Sequence, residues 1–174
     1  MIEKWSEKSA IAIKRMNPEQ THSIAVLTYG FTVLLNGFLT LFACIIFGAI
    51  TGHFTETLIS LLTFIMLRQI SGGYHLRSAL SCCLFSVTIF LLIPWIHVAN
   101  ENILYAMDIC SLVLAAVYAP SNIRNQSNIP ERFYPLLKYL SVLLIAIGSL
   151  LRSEVVSITI LVQCLLLIRK PERR

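Results

Sequence analysis

The chain has 174 residues, 56% of them apolar and only 13% charged, with a formal net charge of +5 and a mean hydropathy of +0.75. Those proportions exclude an ordinary soluble domain and point to an integral membrane protein. The positive balance is not a nucleic-acid signature, because the basic residues flank hydrophobic blocks without aromatic interleaving; they fit orientation signals better.

Residues 1–17, MIEKWSEKSAIAIKRMN, put Ile2, Trp5, Ala12, Ile13 and Met16 on one helical side and Glu3, Lys4, Glu7, Lys8, Lys14 and Arg15 elsewhere. This is the pattern of an interfacial amphipathic helix, which Pro18 then ends. The first 22 residues hold no apolar stretch before a small-residue cleavage site, so the chain is expected to stay whole.

Apolar blocks follow at about 24–50, 57–67, 79–99, 102–119, 134–151 and 155–168. A bilayer core takes about 20 helical residues to cross, so the expected fold is an all-α integral membrane protein with six transmembrane helices in one polytopic domain over 1–174. The second block has 11 residues between Glu56 and Arg68, roughly 16 Å of helix. It reads as a short helix leading into a polar loop. The polar linker at 119–132, with Pro120 and Pro130, divides the bundle into four helices and two.

Cytoplasmic connections retain lysine and arginine. Assigning alternate connections to the cytoplasm puts 13 of the 14 basic residues inside, with Arg152 the exception. Both termini and the loop from Arg68 to Ser78 are then cytoplasmic.

That loop opens the stretch RQISGGYHLRSALSCC, at Arg68 to Cys83, where two arginines, a glycine pair, a histidine and two adjacent cysteines interrupt the apolar sequence. Cysteine catalysis needs a thiolate, a base, and donors for the oxyanion of a tetrahedral intermediate. Every type is present. His75 can serve as base and then acid, Cys82 or Cys83 as nucleophile, and Arg68, Arg77 and the backbone amides near Gly72 and Gly73 as positive potential or donors. On one straight helix, residues 75 and 82 would lie roughly 10.5 Å apart along the axis, too far for proton transfer. Gly72 and Gly73 allow a turn that brings the loop back over the start of the next helix, whose N-terminal dipole favours a thiolate at Cys82. Cys83, about 100° further round, faces elsewhere.

The same residues also fit an ordinary loop: arginines for orientation, glycines for a turn, a solvated histidine and two packing cysteines. A zinc site is disfavoured, because His53 maps to the other side of the membrane from His75, Cys82 and Cys83. No metal, cofactor or disulfide framework is expected. Cys44, Cys110 and Cys164 lie inside apolar blocks and read as packing residues.

The order arginine, glycine, histidine, cysteine, carried here by Arg68, Gly73, His75 and Cys82 in RQISGGYHLRSALSC, resembles the accessory gene regulator B (AgrB) family, the membrane cysteine endopeptidases of bacterial peptide quorum sensing. The spacing of seven from His75 to Cys82, the size, the six blocks and the amphipathic start all fit. The resemblance implies that Cys82 is the nucleophile and His75 its base, with Arg68 and Gly73 in support. It also implies an AgrD-like propeptide substrate, cleaved before its C-terminal tail and closed to a thiolactone or lactone, and a homodimer in the bacterial cytoplasmic membrane. Two positions depart from the family pattern: Leu76, where many relatives have alanine, and the 119–132 loop, which is less basic.

Asp108, inside the fourth block, is a costly intramembrane carboxylate. It is a candidate orienter of His75 or a helix-packing group, while Asn36 and Gln163 read as interhelical hydrogen-bonding groups. The rival functions are a peptide exporter or channel without covalent chemistry, and a non-enzymatic scaffold.

Overall fold

The computed structural model describes residues 2–19, 21–74, 78–121 and 130–168. Among them every regular element is helical: α1 Ile2–Met16, α2 Ile24–Thr51, α3 Phe54–Ser71, α4 Ala79–Leu92, α5 Glu101–Tyr118, α6 Tyr134–Leu150 and α7 Glu154–Leu165, with short 3-10 turns at Ile93–Trp95 and Glu131–Phe133. By length and composition three helical stretches can cross a membrane: Ile24–Thr51, Glu101–Tyr118 and Glu131–Leu150. Ala79–Trp95 and Glu154–Leu165 are shorter apolar helices.

Two expected boundaries are corrected. The second apolar block is not a short helix, because α3 runs 18 residues, through Arg68 to Ser71. Its polar ends are absorbed by local contacts: the Arg68 guanidinium lies 5.9 Å from the Phe64 ring one turn back, and the Ser71 hydroxyl donates to the Leu67 carbonyl at 2.7 Å. The third block is not helical to residue 99, since α4 gives way to a 3-10 turn holding Pro94, which has no amide to continue the ladder.

The four-plus-two division also fails, because α3 packs on both sides. Cys44, Leu61 and Phe90 join α2, α3 and α4 in one buried cluster. Leu67, Ala115, Ile145, Ile160 and Cys164 join α3 to α5, α6 and α7 in another. The two halves therefore share α3, and α5 groups with α6 and α7.

Small and hydroxyl residues make these contacts close, as expected where apolar burial alone does not discriminate one helix face from another. A Cβ at Gly48 would stand 3.2 Å from Thr57 Cβ, and one at Gly148 only 2.6 Å from Ile160 Cδ1. Thr159 donates to the Val155 carbonyl at 2.6 Å, so Ser60 is the donor in its 2.8 Å bond to the Thr159 hydroxyl, linking α3 to α7. Gly148→Val is expected to overpack the α6–α7 contact and cost about 1–3 kcal/mol. A lowered unfolding midpoint, read by circular dichroism in detergent, checks this.

The helix α1 lies along α2, burying Ser6 and Ala10 while Trp5 and Met16 stay exposed. Its turn into α2 is closed by Lys14, which donates to the Pro18 and Thr21 carbonyls at 2.6 and 2.7 Å.

Candidate functional site

At the end of the bundle where α3 finishes and α4 begins, a cavity of about 180 Å³ opens between α2, α3 and α4. Each helix contributes one face. Leu61, Phe64, Ile65 and Arg68 line it from α3, Cys82, Phe85, Ser86 and Phe90 from α4, and Asn36, Gly37 and Thr40 from α2. The i, i+3, i+4 spacing places each set on a single stripe. Phe64 and Phe90 meet edge to face at 5.1 Å between ring centroids and form the apolar wall away from the mouth. Tyr74 and Leu166 complete the lining.

Cys82 is the fourth residue of α4, its amide donating to the Ser78 carbonyl at 3.0 Å. There it lies in the first turn, where the helix dipole favours a negative sulfur. The thiol is half-buried and in no disulfide among the described residues. Cys83 takes a different direction: it is 3% exposed, is not among the cavity residues, and its Sγ accepts a hydrogen bond from the Thr40 hydroxyl at 3.4 Å. The two adjacent cysteines thus have separate environments.

Arg68 comes to the cavity from the last turn of α3 and lines it together with Cys82. Its Nη2 donates to the Tyr74 carbonyl. Its Nη1 is buried without a hydrogen-bond partner among the described residues. The neighbouring turn explains how a guanidinium fits there. Gly73 has φ +123°, and a Cβ on it would stand 2.5 Å from Arg68 Nη1 and 3.1 Å from the Leu166 carbonyl oxygen. Only glycine leaves that space and adopts that backbone without strain.

The turn is pinned from two other places, the segment after α5 and the C-terminal part of α7. Gly73 N–H donates to the Ser121 carbonyl at 2.8 Å, Tyr74 N–H to the Leu166 carbonyl at 2.8 Å, and Ser121 N–H to the Ser71 carbonyl at 2.9 Å. Gln163 from α7 donates to the Ser71 hydroxyl at 2.9 Å and the Gly72 carbonyl at 2.8 Å. Gly72 N–H is used as well, on the Arg68 carbonyl at 3.0 Å. The amides expected to serve an oxyanion at Gly72 and Gly73 are therefore engaged in holding the turn, which corrects that expectation and leaves Arg68 as the positive group lining the cavity. Gln163→Leu should strip two of these bonds, cost about 1–3 kcal/mol, and speed amide hydrogen exchange at Gly73 and Tyr74.

A family model described as accessory gene regulator B (AgrB) matches residues 6–168, nearly the whole chain. The chain belongs to the AgrB family. It is 33% identical over 120 residues to an AgrB-like protein of Halalkalibacterium halodurans, covering 69% of this chain and 61% of that one. It is 34% identical over 108 residues to accessory gene regulator protein B of Staphylococcus saprophyticus, covering 59% and 56%. Against the protein of the same name from Staphylococcus aureus it is 26% identical over 134 residues, covering 75% and 71%. The chain thus aligns with less than two thirds of the length of the first two relatives. No solved structure matches.

Within this AgrB-family chain, His75 and Arg77 lie outside the described residues, as does the 122–129 part of the polar linker. Asp108 is described, and it is not beside the Cys82 cavity. It lines a second cavity at the opposite end of the bundle, with residues of the α4–α5 and α6–α7 connections. From Asp108 to Ala119, where α5 reaches the pinned turn, is roughly 16 Å of helix. Asp108 and Cys82 thus line different cavities.

Gln163 is an interhelical hydrogen-bonding group, as read from its residue type. Asn36 instead lines the Cys82 cavity, and its buried Oδ1 has no partner among the described residues. Sequence reasoning missed the anchoring role of Ser121 and Leu166, which act through main-chain carbonyls and so leave no side-chain signature.

Proposed function

We propose that this chain is a membrane-embedded cysteine endopeptidase that removes the C-terminal tail of an AgrD-like autoinducer propeptide and closes the remainder to a thiolactone or lactone for quorum sensing. The observation that carries this reading is the shared cavity. Cys82, in the first turn of α4, faces the same apolar-walled space as the Arg68 guanidinium, in a chain whose Arg68, Gly73, His75 and Cys82 follow the family order.

In this reaction the Cys82 thiolate bonds to the scissile carbonyl carbon while His75 holds the thiol proton. Charge gathers on the carbonyl oxygen, where the Arg68 guanidinium, lining the same cavity, supplies positive potential. Collapse expels the tail amine, protonated by His75, and leaves a thioester on Cys82. A thiol or hydroxyl within the peptide then attacks that thioester, His75 taking its proton. The bond to Cys82 breaks and the ring closes. Tethering gives the internal nucleophile a high effective concentration, and the phenylalanine-lined wall limits competing water. Arg77 adds positive potential for the acidic tail of such a propeptide.

Six crossings in a single polytopic domain, α1 in the membrane interface, cytoplasmic termini and catalytic loop, and a homodimer complete the reading. Support for the membrane setting comes from the three long apolar helices and from the exposed apolar residues of α2, such as Leu34, Phe38, Phe42 and Ile46, a surface suited to lipid rather than water.

The test is acid-quenched mass spectrometry of the intact protein, in lipid, with its propeptide. The expected result is a transient mass increase equal to the tail-less peptide, mapped to the fragment holding Cys82. Tail release without any adduct would exclude the covalent route. No release from an authentic propeptide would exclude the peptidase reading and leave transport as the better account.

A further inference from the structure

The second cavity, about 250 Å³, lies between the start of α5, the end of α6 and the start of α7. Two of its side chains are buried, each with a polar atom that lacks a hydrogen-bond partner among the described residues. Asp108 is 7% exposed and its Oδ1 has no hydrogen-bond partner among the described residues; Ser157 is 1% exposed and its Oγ has none either. A carboxylate so placed in an apolar helix is costly unless something supplies charge or donors, and such a residue marks a functional site by default.

The neighbouring groups do not meet that need. Glu154 is turned to the Val98 amide at 3.1 Å and lies 3.7 Å from His97 Nδ1. Arg152, the nearest cation along the wall, lies over the Tyr105 ring at 5.7 Å and forms no ion pair with Asp108 among the described residues. Three carboxylates, Glu101, Asp108 and Glu154, therefore face one guanidinium around the cavity, a net negative lining. They do not converge: no group of three or more His, Cys, Asp or Glu among the described residues could hold a metal ion. The occupant must bring N–H or O–H donors and positive charge in a shape longer than a bare ion.

We infer that this cavity binds a primary ammonium group on a short aliphatic stem, the ammonium donating to Asp108 Oδ1 and Ser157 Oγ and the stem lying along Leu104 and Tyr105. An ammonium has three donors and no acceptor, the complement of a carboxylate beside a hydroxyl. Two sources share that chemistry, a free alkylamine and a lysine side chain of a peptide. The inference concerns the end of the bundle away from Cys82 and stands apart from the peptidase reading.

The experiment is calorimetric titration of the full chain in lipid nanodiscs with n-butylammonium, with Nα-acetyl-lysine amide, and with tetramethylammonium as a cation without N–H donors. Saturable binding of either primary amine is expected, weakened about tenfold or more in Asp108→Asn and severalfold in Ser157→Ala. Binding of the lysine amide at least as tight as that of n-butylammonium assigns the site to peptides, and the reverse assigns it to free amines. Absence of saturable binding, equal binding of tetramethylammonium, or unchanged binding in both variants would overturn the inference. Should Asp108→Asn fail to fold, Ser157→Ala alone decides, because it removes only a hydroxyl.

Discussion

Cys82→Ser is expected to lower propeptide tail release about a thousandfold or more, the scale on which loss of a covalent nucleophile is felt, while Cys83→Ala stays within a few-fold of wild type. The contrast is the informative part. Both residues are adjacent cysteines in the first turns of α4, so an effect of general destabilisation would strike both. Cys83 is the more deeply buried and holds the Thr40 hydroxyl at 3.4 Å, so its truncation should cost more stability, about 1–2 kcal/mol. Unfolding midpoints and tail-release rates measured on the same preparations should therefore rank the two variants in opposite orders. Equal activities for both would remove Cys82 from the chemistry.

Gly73→Ala is expected to lower kcat/KM for tail release by about 10–100-fold, because displacement of a charged group at the proposed site by an ångström has effects of that size. The methyl group meets Arg68 Nη1 at 2.5 Å and the Leu166 carbonyl oxygen at 3.1 Å, on a backbone with φ +123°. The backbone strain adds a stability cost of about 1–3 kcal/mol. If the loss arises at Arg68, Arg68→Ala should lower the rate similarly and the double variant should add little more. Wild-type kinetics in a folded Gly73→Ala protein would show that the position of the guanidinium does not matter to the reaction.

Much of the architecture was legible in the sequence, because hydropathy reports directly on what an apolar helix needs. The all-helical class was foreseen, and the long apolar blocks near 24–50, 102–119 and 134–151 fall on α2, α5 and α6. The errors have one origin. A hydropathy block ends at the first charged residue, whereas a helix ends where its backbone bonds end, so α3 continued through Arg68 and α4 stopped near Pro94. Separate directions for Cys82 and Cys83 followed from helical geometry alone. The proposed donors at Gly72 and Gly73 did not survive, because their amides are taken by carbonyls of Arg68 and Ser121, the second of which no local pattern connects to the loop.

By itself, then, the sequence determined an all-helical chain too apolar for water, and a cluster of arginine, glycine and cysteine between two apolar blocks. Which helix faces turn inward was decided only in three dimensions. Where every side of a helix is apolar, periodicity is silent, and the inner face is chosen by close approach at Gly48 and Gly148 and by buried bonds such as Ser60 to Thr159. Those contacts put Arg68 and Cys82 on one cavity, and Asp108 on another at the far end.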